Sequence, residues 1–256
     1  MNFDYYNWLL VFMRLSAFLM VLPFFSTVNF PHTMRVALSV LAALLIAPLV
    51  PPFPLGQLSF FALLGVIFQE ISIGLLLGFL ARMIFYAVEM AGGLIATEMG
   101  LNLASVMNPL DQQSSQAPGM ILFFLATIVM VTLDLHHWIL MGFERTYLVL
   151  PIGGVHLSGA LFEAVVAQTA RIFAVALQIS APMIAVSFVV TMIFAVMSRA
   201  VPQMNVFAES FGFRVVAGLI VFGFTLQLTA VHVMNNLRRL PDDLLVIAQL
   251  IGGGKL

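Results

Sequence analysis

The chain has no cysteine among its 256 residues. Disulfides, thiolate metal sites and a catalytic thiol are thereby excluded, and the redox compartment is left unmarked. Charge is also scarce: 8% of residues are Asp, Glu, Lys or Arg, where a soluble domain carries roughly a quarter. The formal net charge of -1 excludes a strongly basic nucleic-acid surface. The sequence contains no P-loop, HExxH, GxSxG or glycine-rich dinucleotide turn. Heptad arrays, solenoid repeats and low-complexity tracts are missing too. The opening MNFDYYNW lacks the positively charged start of a secretory signal and reads as mature sequence. No cofactor, no metal and no enzymatic reaction are expected on these grounds.

What the chain does have is oil. Hydrophobic residues make up 62% of it, and the mean hydropathy is +1.11. An all-α integral membrane protein follows, with several spans of about 20 apolar residues each. The 24 Phe and 16 Met suit helix packing, and adaptable Met would also suit a seal around a variable passenger.

A first apolar block, Trp8 to Leu22, stops at Pro23 and carries Arg14, a charge that is costly at mid-helix in lipid. A second, Arg35 to Val50, ends in the proline cluster PLVPPFP. From Leu58 to Met107 no proline occurs, and one helix there would extend about 75 Å against a hydrocarbon core of about 30 Å. Gly92-Gly93 is the expected break. Before it lie Gly74-Leu-Leu-Leu-Gly78, a spacing that lets helices approach closely, and the charges Glu70, Arg82 and Glu89. Arg82 and Glu89 share nearly one helix face; interhelical pairing and a proton or ion path are the two readings of them. A span from Met120 to Leu133 then meets DLHHW and continues to Phe143. Adjacent His136 and His137 are expected to point to different sides of that helix and to serve poorly as joint ligands, even with Asp134 nearby.

Pro151 with Gly153-Gly154 reads as a linker and as the boundary between two parts, 1–154 and 155–256. The second part is a helical hairpin. Its outgoing arm, Leu161 to Ala200, is interrupted by Pro182 alone and is expected to be one kinked helix. Its return arm is expected from Phe207 to Leu237, followed after LPDD by a short tail, Leu244 to Ile251. Arg238, Arg239 and Lys255 favour a cytoplasmic C-terminus.

The stretch from Ala87 to Pro118 departs from the rest. It carries Glu89 and Glu98 and runs out into NPLDQQSSQAP, the longest polar run in the chain. Charge and irregular backbone at membrane depth occur where they are buried in protein or line a watery path. This segment is therefore expected to face the centre of an assembly.

Several of these pieces resemble the FliR family of flagellar protein-export gates, whose relatives serve virulence-associated type III secretion. RLSAFLMVLPFF with Pro31 and Arg35 is similar to the family's opening pattern; AGGLIATEMGLNLASVMNP resembles its central segment, and LPIGG its mid-chain linker. VPQMNVF, between two long apolar helices, resembles its hairpin turn, formed by Pro202, Gln203, Asn205 and Phe207. The family usually has Asp-Pro where Asn108-Pro109 stands here, and Gly-His where Leu135-His136 stands.

The resemblance implies a FliP-like N-terminal part and a FliQ-like C-terminal hairpin. It implies a non-enzymatic subunit of a hetero-oligomeric ring built with FliP-like and FliQ-like chains, and with FlhB-like and FlhA-like components. Unfolded flagellar proteins would leave the cytoplasm through that ring, at the basal body in the bacterial inner membrane. It also places a plug loop at Val106, Met107, Asn108, Pro109 and Leu110; a surface loop is the plainer reading of the same residues. Arg14, Glu70, Arg82, Glu89 and Glu98 would then be buried charges that pack against protein. Two other classes compete. A small-solute transporter or channel should show paired repeats with broken helices in both halves, and an intramembrane enzyme would use Asp134, His136 and Glu98.

Overall fold

A computed structural model describes residues 4–26, 31–53, 59–101, 117–155, 159–203 and 205–253. Residues 106–110, expected to form the plug, lie outside the described residues. Within them every regular element is a helix, in agreement with the all-α reading.

Helix α1 (Tyr5–Val21) begins at Asp4, whose carboxylate accepts from the backbone N–H groups of Tyr6 and Asn7 at 3.1 and 3.3 Å. These are two of the donors a helix start leaves unpaired. It ends at Leu22, which is extended (ψ 127°) ahead of Pro23, as a residue before proline must be. Pro23–Ser26 forms a single turn, α2, and α3 (His32–Ile46) tightens into a 3-10 turn at Ala47–Leu49. Buried Asn7 donates to the carbonyls of Ala47 and Val50, both at 3.3 Å, so α1 caps the end of α3.

Helix α4 (Phe60–Glu98) has 39 residues, about 58 Å of helix. The break expected at Gly92-Gly93 does not occur. Glycine costs a helix interior only about 1 kcal/mol relative to alanine, and Gly92 has a packing role. Its backbone lies directly on that of Gly119, and a Cβ at position 92 would collide there, whereas one at Gly93 would meet nothing.

The break lies further on. Helices α5 (Ala117–Thr132) and α6 (Leu135–Val149) are separate, because Asp134 takes the left-handed conformation (φ 53°). Aspartate is one of the few residues beside glycine that adopts it readily. The stretch expected to run as one helix through Phe143 is therefore two helices.

Helix α7 (Gly159–Ala200) carries Pro182 inside one helix, as expected. Helix α8 (Val206–Ile251) has 46 residues and also runs through a proline, Pro241. The separate arm and tail expected on either side of that proline are one element. A mid-helix proline costs about 3 kcal/mol, but Leu237, Leu240 and Leu244 around it are all buried, at about 1.5–3 kcal/mol each. Gly142 of α6 has no side chain facing Pro241, where a Cβ would stand 2.9 Å from the proline Cα.

By contacts the chain divides into two compact units, 1–83 with 134–169 and 238–256, and 84–133 with 170–237. Each draws on residues from both sides of position 154. The first is centred on Leu15, Phe18, Leu77, Phe143 and Ala248, all essentially without exposed surface. The second is centred on Val88, Ala91, Leu122, Ala126, Met130 and Ala176. Among the described residues four helical segments are long and apolar enough to cross a membrane, or five if α5 and α6 count as one span. Their outer faces stay uncovered by the chain itself: Phe61 is 82% exposed and Phe224 83%.

Candidate functional site

In the first unit the face of α4 formed by Glu70, Gly74 and Gly78 repeats every four residues, so the three stack along one side of the helix. Gly74 lies on the backbone of Arg14, and Gly78 lies on that of Phe18, where a Cβ would stand 2.8 Å from its carbonyl oxygen. Any side chain at either position would push α1 away. The close approach foreseen from the Gly-Leu-Leu-Leu-Gly spacing is thus made toward α1, and it carries the Arg14 side chain to Glu70.

The two side chains pair bidentately. Arg14 Nε donates to Glu70 Oε2 at 2.5 Å and Nη2 donates to Oε1 at 3.1 Å, and neither side chain has exposed surface. Burying two charges is repaid only where the geometry is good and the remaining polar atoms are satisfied. Here they are: Arg14 Nη1 donates to the Leu150 carbonyl at 3.1 Å. The Gly153 N–H donates to Glu70 Oε1 at 3.2 Å. The Tyr147 ring stacks on the guanidinium, 4.1 Å from Cζ to centroid, an arrangement that stabilises a desolvated cation.

Leu150 and Gly153 belong to LPIGG. Gly153 takes φ +75°, and a Cβ on it would stand 3.0 Å from the Phe53 ring. The linker therefore turns tightly, with Gly154 N–H bonded to the Pro151 carbonyl at 3.1 Å, and the ion pair grips it from both ends. What this site does chemically is fix position. One neutralised pair holds α1, α4, α6 and the linker in register.

The other expected charges are placed differently. Arg82 and Glu98 are half-buried within the chain and Glu89 is exposed. In the second unit the end of α4 is held through its backbone and through Met99. Ser187 Oγ donates to the Glu98 carbonyl at 3.4 Å. Met99 and Met183 both lie against Gly218, whose missing side chain leaves them room. The residues that follow, 102–116, include the expected plug. At the hairpin turn Pro202, Gln203 and Asn205 are exposed, and the Asn205 carbonyl accepts the Glu209 N–H at 3.1 Å to start α8, which includes Phe207.

DLHHW departs from the sequence reading. The rings of His136 and His137 do not point apart; their centroids are 4.1 Å from each other. His137 Nδ1 lies 3.6 Å from Asp134 Oδ1, and one ligand atom from each of the three residues falls within 4.8 Å of the others. The left-handed turn at Asp134 causes this. It ends α5, so the pair sits in the first turn of a new helix rather than mid-span. Asp134, His136 and His137 are the residues in the first unit able to hold a metal ion among those described. Glu98, the third member of the enzyme reading, belongs to the second unit.

What neither periodicity nor spacing could supply was the partner of Arg14, or the contribution of Tyr147. The signal available was chemical: a mid-helix arginine in an apolar chain needs a carboxylate, and Glu70 is one of few.

The sequence matches the family described as "Bacterial export proteins, family 1" over residues 5–240. It is similar to the protein named "Flagellar biosynthetic protein FliR" of Bacillus subtilis (strain 168), 27% identical over 247 residues, with 95% of each chain covered. The proteins of the same name from Escherichia coli (strain K12) and Caulobacter vibrioides are each 28% identical over 249 residues. The shares covered are 96% of this chain and 94% of the Escherichia protein, and 94% of this chain and 96% of the Caulobacter one.

Proposed function

This chain belongs to the bacterial export proteins, family 1, and on that premise we propose that it is a structural subunit of a flagellar protein-export gate. It helps form the channel through which unfolded flagellar proteins leave the cytoplasm. Its partners are FliP-like and FliQ-like chains in a hetero-oligomeric ring, with FlhB-like and FlhA-like components alongside, at the flagellar basal body in the inner membrane. Residues 1–154 act as the FliP-like part and 155–256 as the FliQ-like hairpin.

The observation that carries this reading is helix length combined with uncovered apolar surface. Helices of 39, 42 and 46 residues reach about 58 to 69 Å, roughly twice the hydrocarbon core. Apolar side chains stand outward on them, Phe61, Phe173 and Phe224 among those more than half exposed. Lipid cannot cover rods of that length, and protein neighbours can. The names of the relatives favour the flagellar over the virulence form of such an export system.

The segment from Val106 to Leu110 acts as the plug. An apolar constriction closes a channel by excluding water, and flexible Met107 can yield to a passing chain. Arg82, Glu89 and Glu98 pack against neighbouring subunits.

The test is mild detergent extraction followed by the mass of the intact particle. The expected mass is several times the 28.0 kDa of the chain, with other membrane subunits in fixed ratio. A monodisperse single chain, stable in a bilayer without neighbours, overturns the proposal. The plug has its own test: deletion of Val106 to Gln116 makes resting cells leaky to small ions, and a membrane that stays tight contradicts it.

A further inference from the structure

We propose that Asp134, His136 and His137 bind a late first-row divalent transition ion of the zinc class.

The donor set is of the right kind. Two imidazoles and a carboxylate match the sites in which three protein ligands hold zinc and leave a fourth position open. Nitrogen donors of this type select zinc, nickel, cobalt or copper over magnesium and calcium, which take oxygen.

The spacing is also right. Ligand atoms about 2.0–2.2 Å from a tetrahedral ion stand about 3.4 Å from one another. Here they lie within 4.8 Å, and His137 Nδ1 to Asp134 Oδ1 is 3.6 Å. Small side-chain rotations close the remainder. That 3.6 Å separation is too long for a hydrogen bond, so no internal bond has to break before an ion enters.

Two further features go beyond a solvated acid–histidine pair. His136 Nδ1 is buried and has no hydrogen-bond partner, and a buried polar atom requires one; coordination through this nitrogen would supply it. The second imidazole also lies beside the first, with ring centroids 4.1 Å apart, which an exposed ion pair worth under about 1 kcal/mol does not need. Asp134 and His137 are open to solvent at 74% and 64%, giving the ion a way in.

Asp134 precedes α6 and the histidines lie in its first turn, so a bound ion would staple the left-handed break to the helix after it. The fourth position would be filled by water or by a group from a neighbouring subunit. This inference rests on the ligand geometry and is independent of the export reading.

The experiment uses the full chain with whatever subunits co-purify, carrying no histidine tag and stripped with a chelator. Zinc is titrated by calorimetry, and cobalt by its visible ligand-field bands. Saturable binding of one ion per chain is expected, with tetrahedral cobalt intensity. His136→Gln and His137→Gln are each expected to weaken zinc at least tenfold, and His32→Gln to leave it unchanged. Should either variant fail to assemble by size-exclusion chromatography, Asp134→Asn, at the most exposed ligand, replaces it with the same expected loss. Absence of saturable binding in the unaltered protein overturns the proposal, as does binding that these substitutions leave untouched.

Discussion

Arg14 reaches Glu70 across 56 positions of sequence, and the two meet with no exposed surface on either side chain. Removing one member of such a pair strands a buried charge, at a cost of about 3–5 kcal/mol, whereas replacing both with apolar residues of similar size is often neutral or better. Arg14→Met and Glu70→Leu are therefore each expected to destabilise strongly, and the double variant to recover most of the loss. Thermal unfolding of the four proteins in one detergent checks this. A double variant as unstable as the two losses added together would show that the pair is not a unit.

Neighbouring glycines are expected to behave oppositely. Gly92→Ala drives a methyl group into the backbone of Gly119, while Gly93→Ala meets nothing within 4 Å. The first is expected to lose about 1–3 kcal/mol through overpacking, and the second to gain up to about 1 kcal/mol from helix propensity. Melting temperatures of the two variants decide it, and a shift of the same sign in both contradicts the packing described.

What a glycine touches matters as much as how close it is. A Cβ at Gly74 would strike the Arg14 carbonyl, which is backbone, while one at Gly218 would meet the side chains of Met99 and Met183. Methionine can rearrange, and a helix backbone cannot. Gly74→Ala is expected to reduce the amount of folded protein severalfold, and Gly218→Ala, which meets buried methionine side chains rather than backbone, to reduce it clearly less, as read by fluorescence-detected size exclusion.

The helix that runs through Pro241 offers a local test. Pro241→Ala restores one backbone N–H and removes a residue that costs a helix about 3 kcal/mol. Slower amide exchange is expected across residues 238–245, measured by hydrogen–deuterium exchange. Unchanged exchange there would mean that the contact with Gly142 contributed more than the missing hydrogen bond.

Much of this architecture is legible in the sequence, because hydropathy and proline punctuation are local signals. The all-helical class, the stop at Pro23, the single helix through Pro182 and the turn at Pro202 could all be read that way. The errors arise where tertiary contact overrides a local rule. Gly92 suggests a break until Gly119 is seen against it, and Pro241 suggests a stop until Gly142 and the buried leucines are placed around it. Asp134 gives no warning of its left-handed turn, so local periodicity implies the geometry of a continuous helix for the histidines that follow. At the site, Arg14 and Glu70 were each visible as misplaced charges. Their pairing, and the grip on Leu150 and Gly153, required the fold.

The account depends most on what covers the outward faces of the long helices. Because the sequence has no cysteine, a cysteine introduced at Phe224, 83% exposed in the isolated chain, can carry a photo-crosslinker as the chain's sole thiol. Irradiation in intact membranes is predicted to give adducts with other protein subunits. Adducts with lipid alone, at Phe224 and at Phe61 alike, would contradict it.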